Sequence, residues 1–189
     1  MKPRIEIIEE KKFVGKKLTM SYANYRIGEL WGSFMPRRKE ISNITSKDLI
    51  SLVVYKPNHF DDFNPTNEFE RWVAVEVDDF ANIPVEMETF GLSSGLYAVF
   101  HYIGSTDGIA SFYQNIFTVW LPNSEYELDE RPHFEVLGEK YKNNDPLSEE
   151  DIFIPIKQRW VKLQHSLSAN WHEVQPFNFL IVTYSIIAL

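Results

Sequence analysis

The chain contains no cysteine. That absence rules out disulfides, thiolate-held zinc and cysteine nucleophiles, and it leaves metals only the histidines and the carboxylates. The five histidines (His59, His101, His133, His165, His172) show no His-x-x-x-His or comparable spacing, so neither a metal nor a cofactor is expected. Positive charge is scarce as well: 19 Lys+Arg stand against 27 Asp+Glu, a net charge of -8, and the one basic cluster is "PRRK", Pro36 to Lys39. Such a field repels nucleic acid and favours cationic partners, so direct nucleic-acid binding is not expected. The N-terminal "MKPRIEIIEEKKFVG" has no apolar run behind its basic residues, and no segment approaches the roughly 20 apolar residues that span a bilayer. The expectation is a soluble cytoplasmic protein. No Ser-His-Asp spacing, Gly-rich phosphate loop or paired catalytic carboxylates point to an enzyme.

What is present is a core-forming composition, 44% hydrophobic over 189 residues, enough for one domain or two small repeats packed as one. Strand patterns fall near Ile5 to Glu10 and Phe13 to Ser21, a helix near Asn24 to Phe34, and strands near Leu49 to Tyr55 and Phe69 to Val77. The second half repeats the order, with "VEMETF" ending at Phe90, "GLYAVFHYIG", a helix from about Asp107 to Trp120, and strands at His133 to Gly138 and Asp151 to Ile156. Both halves read β-β-α-β-β. The helix ends "ELWGSFMP" (Glu29 to Pro36) and "NIFTVWLP" (Asn115 to Pro122) place aromatics in matching slots and stop at proline, which lacks the amide donor that a helix needs. The fold class expected is α+β: tandem repeats related by a pseudo-two-fold axis, one antiparallel sheet, two helices on one face and a ligand cleft on the other.

Within "RPHFEVLGEKY", Arg131 to Tyr141, strand alternation turns His133, Glu135 and Leu137 one way and Phe134 and Val136 the other. Glu135 then faces either solvent or a pocket, and this stretch alone leaves both open. If the helix-free face curls into a cleft, the strand positions placed to line it are Glu135, Trp72, Tyr55 and Phe153, each aromatic serving equally well as core. Trp120 is expected on an apolar helix stripe with Phe112 and Ile116, at i, i+4 and i+8.

The runs "GLYAVFHYIGS" (Gly95 to Ser105), "FTVWLPNSEYELDERPHFEVLGEKY" (Phe117 to Tyr141) and "EEDIFIPIK" (Glu149 to Lys157) resemble the GyrI-like, AraC-type effector-binding domain, most closely its integron-cassette branch. The Trp-Leu-Pro-x-Ser element (Trp120 to Ser124), followed by Phe-Glu and an Ile-Pro-Ile strand, carries the likeness. The first half adds "FVGKKLTMSY", "LWGSF" and "WVAVEV". The resemblance covers about Ile5 to Lys157 and implies a tandem-repeat domain whose cleft holds cationic, aromatic, drug-like molecules. It also implies that the glutamate of the Phe-Glu motif, Glu135, points into that cleft. Such domains occur fused to the DNA-binding regions of multidrug-responsive transcription regulators, and alone. Here no helix-turn-helix segment precedes Ile5, so a stand-alone module is expected. The ligand set expected from the strand positions and this likeness together is Glu135, Trp72, Tyr55, Phe153, Trp120 and Trp31. Trp72 stands in a strand that carries glycine in the family, and a one-residue slip of register would turn it outward.

The resulting division is an effector-binding domain over residues 1–157, with repeats of about 1–80 and 84–157, and a C-terminal extension over 158–189. The extension holds two of the five tryptophans and ends in the apolar 13-residue run "FNFLIVTYSIIAL". A run of that kind is expected to be docked, as an added strand, as an arm joining a homodimer, or as an extension without a selected role. Two rival functions accompany the binding module. One is hydrolysis of electrophilic toxins, with Glu135 as general base helped by Tyr97 or Tyr113. The other is inhibition of a protein partner through the acidic segment "DDFNPTNEFE", Asp61 to Glu70.

Overall fold

The computed structural model describes residues 1–57, 59 and 64–159. The first repeat contributes β1 (Arg4–Ile8), β2 (Lys11–Ser21), α1 (Ile27–Phe34), β3 (Leu49–Val54) and β4 (Glu68–Val77). The second contributes β5 (Glu88–Leu92), β6 (Gly95–Ile103), α2 (Thr106–Asn115), a short β7 (Tyr126–Leu128), β8 (His133–Leu137) and β9 (Glu149–Gln158). The strands form a nine-stranded antiparallel sheet in the order β1-β6-β9-β8-β3-β4-β2-β5, with β7 paired to β9 off that path.

Exchanging β1 with β5, β2 with β6, β3 with β8 and β4 with β9 turns this order into its own reverse. The expected pseudo-two-fold axis therefore runs between β3 and β8, where Ser51 opposite Glu135 is the middle pair of the register. Each half also lends its first strand to the other, since β1 pairs with β6 and β5 with β2.

Strands at opposite ends of the path are nonetheless joined by two-residue links: Glu9 and Glu10 connect β1 to β2, and Ser93 and Ser94 connect β5 to β6. Three Cα steps span at most about 11 Å, so the sheet must curl until its ends approach. The curled interior is filled by one apolar cluster that includes Phe13, Leu52, Trp72, Leu92, Tyr97, Phe134 and Phe153. Phe134 stacks on Phe153 with centroids 4.3 Å apart, and Tyr97 meets Phe134 edge-on at 5.4 Å. Gly15 permits the tight packing of β2 on β4, because a Cβ there would lie 2.0 Å from the Val73 carbonyl oxygen.

Both helices lie on the outer face. Ile27, Leu30 and Phe34 of α1 pack with Met20, Phe69, Val73 and Val75, and Ile109 and Tyr113 of α2 pack with Phe100, Ile152 and Ile154. Helix α1 begins three residues later than the sequence pattern suggests. The Asn24 amide donates to the Ser21 carbonyl and lies 3.2 Å from its hydroxyl, which holds that segment in a turn. Beyond α1 the chain tightens into a 3-10 stretch, Met35–Glu40, with Pro36 at its start. Beyond α2 it widens into a π turn, Ile116–Trp120, whose Leu121 amide donates to the Ile116 carbonyl. That turn rotates the expected stripe: Ile116 and Phe117 are buried, while Trp120 is half-buried. Among the described residues, no helix is long and apolar enough to cross a membrane.

Candidate functional site

Strand alternation places Arg71 on the same face of β4 as Phe69, Val73 and Val75, beneath the helices. On β8 the same face carries His133, Glu135 and Leu137, and on β9 it carries Glu150, Ile152, Ile154 and Ile156. Three charged side chains thus interrupt an apolar layer close to the pseudo-two-fold axis. Arg71 is opposite Val53 in the first repeat, and Glu150 falls in the matching slot of the second, one step beyond the Val136–Asp151 pair.

Glu135 and Arg71 form an ion pair, Nη2 to Oε2 at 2.9 Å, with both side chains 13% exposed. Arg71 also donates to the Ser51 hydroxyl at 2.8 Å, and the Tyr113 hydroxyl donates to Glu135 Oε1 at 2.7 Å. A pocket opens above this group between the two helices. It has about 530 Å³ of space counting its open mouth, and Tyr25, Trp31, Ile109, Leu137, Tyr141 and Glu150 contribute to its lining.

Burial opposes the Arg71 charge, but the Glu135 carboxylate and the surrounding tyrosine oxygens hold its pKa above the ordinary value. Burial and then Glu135 raise Tyr113 well above the usual range, and burial, Glu150 and Glu135 push Tyr141 up to about 12. Both hydroxyls stay protonated, and that of Tyr113 donates to Glu135. Burial, followed by the charge of Glu135, pushes the Glu150 carboxyl up to about 8 against the opposing pull of Arg71. His133 is packed against Tyr55 and Phe117, and burial lowers its pKa to about 4, so it is neutral.

The anticipated ligand set is divided by the sheet. Glu135 and Trp31 reach the pocket. Trp72 and Phe153 belong to the curled interior on the opposite face, as does Tyr97, whose hydroxyl donates to the Pro132 carbonyl at 3.3 Å. The cleft expected on the helix-free face is therefore occupied by packed aromatic rings, and the Glu135 pocket lies on the helix side. Tyr55 shares that side but sits among Tyr22, His59 and Phe69, with its hydroxyl 2.6 Å from that of Tyr22. Trp120 meets Phe100 edge-on at 5.0 Å and stacks on Tyr126, outside the pocket lining. Tyr113, named beside Tyr97 as a partner for Glu135, is the tyrosine in contact with it. The sequence reading missed Arg71, Glu150, Tyr25, Tyr141 and Ser51. A charged residue within an otherwise apolar period-two series, as in Phe69-Arg71-Val73-Val75 and Glu150-Ile152-Ile154-Ile156, was the available signal for the first two.

A sequence profile described as the GyrI-like small molecule binding domain matches residues 1–157. The chain belongs to this family. A curated relative, the transcriptional regulator BrlR of Pseudomonas aeruginosa, is 29% identical over 154 residues, or 79% of this chain. The chain spans about half of that relative's length, 54%. Among solved structures, the EcmrR C-terminal domain aligns with TM-score 0.63 at 13% identity, covering 84% of this chain and 98% of that one. The integron cassette protein VCH_CASS2 of Vibrio cholerae aligns with TM-score 0.57 at 17% identity, covering 82% and 95%. SAV2435, solved bound to tetraphenylphosphonium, aligns with TM-score 0.55 at 19% identity, covering 83% and 94%. At these identities the structures show a shared fold.

Proposed function

We propose that this GyrI-like domain binds organic cations carrying aromatic groups, in the pocket between α1 and α2. The observation that carries the reading is a pocket that brings two carboxyl groups, Glu135 and Glu150, and a single guanidinium, Arg71, together with the aromatic rings of Tyr25, Trp31 and Tyr141. An organic cation offsets the cost of desolvating carboxylates, and its aromatic groups gain contact with aromatic faces. The tetraphenylphosphonium complex of a protein with the same fold supports this ligand class. The relation to BrlR, a transcriptional regulator, supports a regulatory role for this binding. We assign binding to residues 1–157 and leave 158–189 outside it.

A hydrolytic reading would require Glu135 to accept a proton from water. Both of its oxygens are already engaged, by Arg71 and by Tyr113, which favours binding over catalysis. The partner-inhibitor reading rests on Asp61 to Glu70, of which Asp61, Asp62 and Phe63 lie outside the described residues, as do residues 160–189 and the expectation that the tail is docked or joins two chains. The test is isothermal titration with tetraphenylphosphonium and with neutral triphenylphosphine oxide. Binding of the cation with at least about tenfold preference, about 1.4 kcal/mol, supports the reading, and equal affinity for the two overturns it.

A further inference from the structure

The resemblance points to Glu135 for the ligand's counter-charge, yet its charge is already matched. Arg71 holds Oε2 at 2.9 Å and the Tyr113 hydroxyl holds Oε1 at 2.7 Å. The Glu150 carboxyl shares the pocket and makes no hydrogen bond or ion pair with the described residues. It also lines the adjoining hollow formed with Asp48, His101, Glu139 and Lys140, which gives its carboxyl a second route to solvent.

The groups that face Glu150 are Tyr102 on β6, itself near Asp107 of α2, Tyr113 on α2, Glu135 on β8, Arg71 on β4, and Tyr141 in the loop after β8. Its neighbours on β9 are committed elsewhere: Glu149 pairs with Lys140 and His101, and Asp151 with Arg4 and His101. Arg71 is thus the one cation directed at the pocket among these groups, and it is spent on Glu135. With Glu150 protonated the floor is neutral, and with Glu150 ionised it carries one net negative charge.

We propose that a cation entering the pocket is neutralised by Glu150, which releases its proton to solvent as the cation arrives, while Glu135 remains paired with Arg71. The inference rests on the cation-binding reading above. The step balances as a carboxylic acid and a free cation becoming a carboxylate–cation pair and one proton taken up by buffer. The resting pocket then avoids an unpaired buried carboxylate, and the ligand supplies the charge that makes ionisation favourable. Binding of this kind strengthens as pH rises and excludes neutral molecules of the same shape.

The experiment is calorimetry with tetraphenylphosphonium at about pH 7 in phosphate and in Tris, whose ionisation enthalpies differ, repeated from about pH 6 to about pH 9. Close to one proton should leave per cation bound, and affinity should rise about tenfold per pH unit at the acid end before levelling above about pH 8. Glu150→Gln should abolish both the release and the slope. Infrared difference spectra of the unsubstituted protein give a second reading: a protonated-carboxyl carbonyl band should disappear on adding the cation. Binding without proton release overturns this inference and leaves the cation-binding reading standing. Release that persists in Glu150→Gln assigns the proton to another group and also overturns it. Absence of binding at every pH overturns both.

Discussion

Replacing Arg71 by methionine removes a positive charge and keeps much of the side-chain volume, leaving Glu135 buried without its partner. The pair is 13% exposed on each side, and breaking such a pair from one side costs about 3–5 kcal/mol. The lost hydrogen bond to Ser51 falls within that figure. Combining Arg71→Met with Glu135→Leu removes both charges, so the double variant should recover most of the loss and lie within about 1–2 kcal/mol of the parent. Urea unfolding of the parent, Arg71→Met, Glu135→Leu and the double variant at neutral pH measures the cycle. The single variant should also bind tetraphenylphosphonium about tenfold more tightly or better, because a positive charge some 6 Å from the ligand contributes about 2–3 kcal/mol of repulsion at an effective dielectric near 20. A loss below about 1 kcal/mol for Arg71→Met, or equal losses for the single and double variants, would refute the idea that the two charges depend on each other.

Other expectations follow from particular contacts. Glu135→Gln should weaken binding of tetraphenylphosphonium by about 1.5–3 kcal/mol, since it leaves Arg71 uncompensated beneath the ligand, while neutral analogues should be unaffected in the same titration. His133 has a folded pKa below its unfolded one, so its stabilising effect is complete above about pH 6.5 and is lost as pH falls through about 4; His133→Gln should flatten a limb worth about 3 kcal/mol in acid-unfolding curves. Trp120→Ala should cost about 3 kcal/mol in denaturant unfolding and leave cation affinity unchanged, given its place against Phe100 and Tyr126. Gly15→Val should prevent normal folding, because its Cβ would overlap the Val73 carbonyl, and circular dichroism with thermal melting would register the loss.

The repeated order of elements and the paired helix ends were legible because they depend on local periodicity and on proline, signals that survive without knowledge of tertiary structure. Glu135 was legible as a charge within a strand. Its surroundings were not, because β4 is apolar on both faces: Val73 and Val75 meet α1, while Trp72 and Ala74 fill the curled interior. Alternation shows that two faces exist but cannot say which is covered by helices when both are buried. The curl itself arises from two short links between strands that pair with distant partners, β1 with β6 and β5 with β2, and pairing of that kind has no local signature. Trp72 and Phe153 were for this reason grouped with Glu135, whereas Arg71, one residue from Trp72, is the side chain that reaches it. The short strand β7 was missed since its three residues, Tyr126–Leu128, carry too little pattern to register.

A crystal structure of the protein with tetraphenylphosphonium tests the central claim most directly. The phosphonium is expected between α1 and α2, within about 6 Å of the Glu150 carboxylate, with its phenyl rings against Trp31, Tyr25 and Tyr141 and with the Arg71–Glu135 pair intact beneath it. A ligand found among Trp72, Phe134 and Phe153 on the other face of the sheet, or bound at the helix side only after displacing Arg71 from Glu135, would contradict it.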